Sequence, residues 1–256
     1  MKFLKFTYRM SLKFDGPVCD HCFALRCVPV SNDVQEITIT QKDVCPAEYL
    51  NEMEDGLGNH KIVGQCMSEH DKFEYEVGGT AKVYGMQEIK EELHPMYRFP
   101  SKYTKMTNEL QSFLSQMQLS GSNLEKAVQI MECLHKEFQY VSGSTDIHTT
   151  AGEAWNNKKG VCQDYAHIMI ALCRSAGIPA RYVNGLMIGE GYTHAWVEIY
   201  TGEGFYGLDP TNNLHVDDYY IKLAHGRDYA DCVIDKGRFR GQVNQTQEIY
   251  VNVEEI

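Results

Sequence analysis

The sequence predicts an α+β fold in two parts. Three observations carry that expectation. Short alternating runs with turn signals fill roughly the first 95 residues, apolar residues at helical spacing follow from about residue 108, and strict alternation returns between His194 and Asp209. At 256 residues the chain has material for one large domain or two modest ones. His94-Pro95 and Phe99-Pro100 read as a connector, which divides a β-rich unit of residues 1–97, expected as a small antiparallel β-sandwich, from a second unit of residues 98–256 that ends in a strand.

In the first unit, Phe3, Phe6 and Tyr8 open a mixed apolar segment, and Asp15-Gly16-Pro17 reads as a turn. His21, Phe23, Leu25 and Cys27 then alternate against Cys22, Ala24 and Arg26, the period of a strand closed by Pro29. Val34–Thr40 alternates in the same way. Asp55-Gly56-Leu57-Gly58-Asn59 is a turn cluster, and Lys61-Ile62-Val63 and Phe73–Val77 are strand-like. Cys19-Asp20-His21-Cys22 has the spacing of half a zinc site, with Cys27, Cys45 or Cys66 as further donors. It lacks a second paired motif, so these thiols are read as core residues and no metal is expected.

The second unit opens with a helix carrying Leu110, Phe113, Leu114 and Met117 on one face. Ser120-Gly121-Ser122-Asn123 breaks it and caps a second helix with a broad face of Leu124, Ala127, Val128, Ile130, Met131 and Leu134. Phe138–Val141 is extended, and Ala151–Trp155 is a short helix. Gly160 then leads into a helix in which Met169, Leu172, Cys173 and Ala176 share a face, ended by Gly177 and Ile178-Pro179. Ala180–Ile188 reads as a strand, His194–Tyr200 as a second and Phe205–Asp209 as its hairpin return.

Composition excludes several classes of function. A net charge of −11 with no basic patch argues against a nucleic-acid partner. No apolar run reaches the length of a membrane span, and charges interrupt the apolar residues of the first nine positions, unlike a signal peptide. Nine cysteines, an odd number without framework spacing, fit reduced thiols and a cytoplasmic location.

Chemistry concentrates at Cys162. It opens a helix, where unpaired amide groups and the helix dipole stabilise a thiolate. The hairpin supplies the rest of a triad. With Thr201-Gly202 as the turn, His194 lies opposite Asp209; with Gly202-Glu203, Asp209 faces Trp196 and is diagonal to His194. Either register puts both side chains on one face, within reach of each other. A thiolate nucleophile, an imidazole acid/base and a carboxylate that fixes its tautomer are the parts of an acyl-transfer site. The Cys162 N–H is the natural first oxyanion donor. Trp155, Tyr140, Tyr192, Trp196 and Glu198 are further candidates for a substrate cleft, with core packing the competing reading of the tryptophans. His167 reads as a packing or hydrogen-bonding residue, and Asp164 as a partner of the helix dipole.

Gly160-Val161-Cys162-Gln163-Asp164-Tyr165-Ala166-His167, Ala176-Gly177-Ile178-Pro179-Ala180-Arg181, His194-Ala195-Trp196-Val197-Glu198 and Leu208-Asp209-Pro210-Thr211, in that order, resemble the bacterial transglutaminase-like superfamily. Pro17–Pro29 and Asp55–Asn59 look like the β-rich domain preceding the core in one bacterial branch, and Ala224–Tyr229 like that branch's motif after the core; Cys232–Asp235 lacks the proline expected there. The resemblance implies a papain-like core, with a nucleophile helix packed on an antiparallel sheet, and a Cys162-His194-Asp209 triad. It implies a cysteine protease or amidase, or a transamidating enzyme, acting on a protein or peptide amide without a cofactor. The alternative expectation is a noncatalytic interaction module that keeps the fold.

Overall fold

The computed structural model describes residues 1–85 and 87–256. Strand β1 (Lys2–Leu25) is the spine of the first unit, and β2 (Gln35–Cys45), β3 (Tyr49–Glu54), β4 (His60–Cys66) and β5 (His70–Val83) follow it. Asp15-Gly16-Pro17 does not reverse the chain as expected. It is an irregularity inside β1, where the pairing with β5 shifts between Lys13 and Val18. A proline is tolerated there because the ladder is already interrupted, and Asp15 is held by Asn244, whose side-chain amide donates to the Asp15 carboxylate at 2.7 Å. Beyond the break, His21, Phe23, Leu25 and Cys27 are buried, as their alternation requires. The Asp55–Asn59 cluster joins β3 to β4: Asp55 Oδ1 accepts the Leu57 and Asn59 amides, and Gly58 takes a φ of 82° that favours glycine. All six residues of β3 are exposed, so it has no buried face for a hydrophobic period to mark.

Thr107 and Ser122 cap α1 (Asn108–Ser115) and α2 (Asn123–Glu137), and Ser122 forms a full capping box with Glu125. Strand β6 (Gln139–Tyr140) pairs in parallel with β7 (Lys159–Gly160) across α3 (Ala151–Asn157). Helix α4 (Cys162–Ser175) is buried on every side from Asp164 to Arg174. The central sheet runs β12-β11-β10-β8-β13, built from β8 (Ala180–Met187), β10 (His194–Tyr200), β11 (Phe205–Asp209), β12 (Leu214–His215) and β13 (Tyr220–Gly226). The short strand β9 (Gly189–Gly191) leaves this sheet to join the other. The four helices share one core with Ala180, Tyr182, Ala195, Val197, Ile199 and Leu208 on one sheet face. Leu186, Ile221 and Leu223 join the core of the first unit. On the opposite face, which carries Arg181, Trp196 and Glu198, Glu91 of the first unit meets Arg181 at 2.8 Å, so the sheet is covered on both faces. No helix among the described residues is long and apolar enough to cross a membrane.

The strands β14 (Asp235–Arg240) and β15 (Gln245–Glu255) both pair with β1, β15 from Leu4↔Glu255 through Phe14↔Gln245. A division after residue 97 assigns this C-terminal strand to the second unit, whereas its hydrogen bonds lie in the first. β1 needs a partner on each side of its ladder, and the far end of the chain supplies one.

Candidate active site

Local sequence places Cys162 at the mouth of α4. Gly160 has an ordinary extended backbone, so φ freedom is not what requires glycine there. A Cβ at that position would lie 2.4 Å from Asp164 Oδ2. The space admits the Asp164 carboxylate, which accepts the Val161 amide at 2.8 Å and the Thr145 hydroxyl at 2.6 Å. Burial pushes the Asp164 carboxyl up, and these two hydrogen bonds oppose the rise. Val161 has no side-chain oxygen to cap the helix, so the fold-back of Asp164 fixes its first turn. The first-turn amides of a helix lack intrahelical acceptors, which leaves donors beside the half-buried Cys162.

The hairpin forms the second expected register. Tyr200 pairs with Phe205 and Val197 with Leu208, and the Thr201 amide donates to Gly204 at 3.0 Å, centring the turn on Gly202-Glu203. Asp209 is thus diagonal to His194, and His194 Nε2 lies 2.8 Å from Asp209 Oδ2. Cys162 is the other group that acts on this ring, and it raises the pKa of His194. Burial alone would lower the pKa of His194; the hydrogen bonds and charges of Asp209 and Cys162 outweigh it and push it up to about 10. The charged imidazolium is the state this arrangement favours for His194.

Asp209 is fully buried, and burial disfavours its charge; five donors oppose this, and the carboxyl is held below its ordinary value. Its Oδ1 accepts the Thr211 and Asn212 amides at 2.9 and 3.2 Å, while Oδ2 accepts His194, the Asn212 side chain at 2.8 Å and the Tyr220 hydroxyl at 2.9 Å. Asp209 therefore closes the turn through Oδ1 and binds the imidazole through Oδ2. Sequence reasoning missed Tyr220 and Asn212. Asn212 had a local signal, three residues beyond an Asp-Pro turn, but Tyr220 had none.

Tyr140 stands beside the thiol: it pairs with Gly160, stays 57% exposed, and its pKa is raised by burial and then by the charge of Cys162. Tyr192 is 75% exposed on the connector just before His194. The other cleft candidates are not available to a ligand. Trp155 is buried against Phe113, with ring centroids 4.2 Å apart, and Trp196 is buried against Tyr220 at 5.5 Å. Glu198 is buried between Arg181, 2.6 Å away, and Lys222, 2.8 Å away. Strand alternation gave the face of Trp196 and Glu198 correctly, but not that the first unit covers that face. Cys19 is half-buried and Cys22 exposed, contrary to a core role for both. Among the described residues, no three His, Cys, Asp or Glu side chains are arranged to hold a metal ion.

Residues 111–210 match the family model of the transglutaminase-like superfamily. An uncharacterized protein of Mycobacterium leprae is 30% identical over 164 residues, covering 60% of this chain and 58% of its own length. An uncharacterized protein of Mycobacterium tuberculosis is 41% identical over 114 residues, covering 38% of this chain and 36% of its own. The chain thus spans less than two thirds of either relative. A candidate cysteine protease from Cytophaga hutchinsonii has a solved structure that superposes with a TM-score of 0.81, at 23% identity, over 100% of this chain and 91% of its own. That likeness establishes a shared fold.

Proposed function

We propose that this chain, which carries the core of the transglutaminase-like superfamily, is a thiol enzyme that transfers acyl groups from amide bonds of proteins or peptides. The observation that carries the reading is the His194–Asp209 contact beside Cys162, with the imidazole held at 2.8 Å by a carboxylate that cannot reach solvent.

The Cys162 thiolate attacks the amide carbon, and the carbonyl oxygen takes up negative charge near the first-turn amides of α4. The imidazolium of His194 gives its proton to the departing amine as the C–N bond breaks, leaving a thioester on Cys162. Neutral His194 then takes a proton from the acceptor, which attacks the thioester and releases the thiolate. Asp209 keeps its proton-free state throughout and orients the ring. Water as acceptor gives hydrolysis and a primary amine gives transamidation. Hydrolysis is the preferred reading, because water reaches any site that does not exclude it, and Cys162 and Tyr140 are both partly exposed.

Iodoacetamide labelling read by peptide mass tests the nucleophile. Cys173 is the internal control, since it lies in the same helix with burial pushing its thiol up to about 12. Cys162 is expected to react far faster than Cys173, and Cys162→Ala to abolish turnover of a peptide amide. Equal labelling, or full turnover in Cys162→Ala, would overturn the reading and leave a noncatalytic module. Product masses with and without added primary amine then separate hydrolysis from transamidation.

A further inference from the structure

β13 is the edge strand of the central sheet, so one side of its backbone lacks a strand partner. Two side-chain amides from the first unit close that side. Gln35 Oε1 accepts the Lys222 amide at 2.8 Å, and its Nε2 donates to the Lys222 carbonyl at 3.0 Å. Asn59 repeats the pattern on His225, with contacts of 2.8 and 2.9 Å. Each amide copies a peptide group of a missing neighbouring strand. Gln35 is 1% exposed and Asn59 2%, and Gln35 Nε2 is anchored from behind by the Val30 carbonyl at 2.8 Å.

The position of this clamp is informative. The ladder between β13 and β8 shifts between Lys222 and Ala224, so β8 alone holds β13 least regularly where Gln35 grips it. Just beside that break, β13 comes so close to β8 that a Cβ at Gly185 would lie 2.3 Å from the Ile221 carbonyl oxygen. Lys222 is also pinned through its ammonium to both oxygens of Glu198, at 3.0 and 2.8 Å, on the strand that carries His194. Two residues before Lys222, Tyr220 donates to Asp209, and its ring lies 6.1 Å from that of His194. A displacement of β13 therefore moves a donor of the buried carboxylate.

We propose that Gln35 is a positioning residue for Asp209: the first unit holds β13 in register through the Gln35–Lys222 backbone clamp, and β13 in turn holds the Asp209–His194 contact through Tyr220. The proposal rests on the triad reading above and gives the β-rich unit a part in catalysis beyond covering the sheet. Asn59 supports the same strand further from Tyr220 and acts more weakly.

The test compares Gln35→Ala with Tyr75→Phe in the full chain. Tyr75 donates to Tyr8 at 2.8 Å inside the first unit and, among the described residues, makes no hydrogen bond to β13, so loss of its hydroxyl lowers stability without loosening the clamp. Two readouts are followed: the alkaline midpoint of the His194 imidazole by NMR, which needs no turnover, and the rate of Cys162 alkylation. Gln35→Ala is expected to move the midpoint down by about one pH unit and to slow alkylation about tenfold, the scale of one lost hydrogen bond to a charged group. Tyr75→Phe is expected to lower Tm alone. Unchanged midpoint and alkylation in a folded Gln35→Ala protein, or equal shifts in both variants, would overturn the proposal. If Gln35→Ala does not fold, Gln35→Glu, which keeps the acceptor and loses the donor, must give a smaller shift in the same direction; no shift there also overturns it. A wild-type Cys162 no more reactive than Cys173 would instead sink the triad reading, a separate outcome.

Discussion

His194 and His167 both lie at the thiol helix, the first partly and the second fully buried, yet their surroundings drive them in opposite directions. His167 is fully buried inside α4; burial lowers its pKa to about 4, Arg174 adds to the fall and Asp228 opposes it. Its ring stacks on Tyr103 with centroids 5.3 Å apart, and Nε2 accepts the Tyr229 amide at 3.1 Å, a role only the neutral ring can fill. His194 experiences burial too, but hydrogen-bonding partners that carry negative charge overcome it and push it up to about 10. Burial alone does not decide the state of a histidine; the charge of what it touches does. One ring is thereby a structural acceptor and the other is poised for proton transfer.

The largest expected effect separates these roles by rate. His194→Gln should cut turnover about 10⁴-fold, the scale seen when a triad member is removed, while circular dichroism shows an intact fold. The same variant should change the alkaline limb of stability. A histidine whose folded pKa lies above 6.5 contributes stability that is complete below pH 6.5 and is lost as pH rises through about 10. Urea unfolding across that window should therefore show a flatter dependence in His194→Gln than in the parent; an unchanged slope would contradict the charged pair.

His167→Asn should act the other way, on stability more than rate. It leaves the Tyr229 amide without its acceptor, at a cost of about 1–3 kcal/mol in urea unfolding, with turnover per folded molecule within a few-fold. Because the folded pKa of His167 is lowered, the unfolded chain takes up its proton first. The resulting loss of stability as pH falls from 6.5 toward about 4 should shrink in this variant. A large loss of turnover in folded His167→Asn protein would erase the distinction between the two rings.

The smallest expected effect tests how firmly Asp209 is held. Tyr220→Phe removes one of three donors to Asp209 Oδ2 and keeps the ring against Trp196. Turnover should fall about tenfold, about 1.4 kcal/mol of barrier, with little change in substrate affinity. A fall as large as that in His194→Gln would mean that Tyr220 is itself part of the proton-transfer chemistry.

Much of this site was legible because its rules are local. The start of α4 follows from Gly160 and the apolar spacing after it. The shared face of His194 and Asp209 follows from the two-residue period of a strand and an even turn, whichever of the two registers formed. The same rules were insufficient for Trp196 and Glu198. Alternation puts both on the face of His194, but whether that face meets solvent or another layer is not a local property. Trp155 failed as a cleft residue for the same reason, since α1 packs Phe113 over it.

The sequence by itself therefore determined the order of elements, the thiol at a helix mouth and the parity that brings imidazole and carboxylate together, since 3.6-residue and two-residue periods are carried by the chain's own covalent geometry. Tertiary structure alone decided that β15 completes the sheet begun by β1, that Tyr220 reaches Asp209, and that Gln35 and Asn59 close the edge of β13. Those contacts join residues 11 to 251 positions apart, and neither backbone period relates positions so distant; packing of whole sheets against one another does.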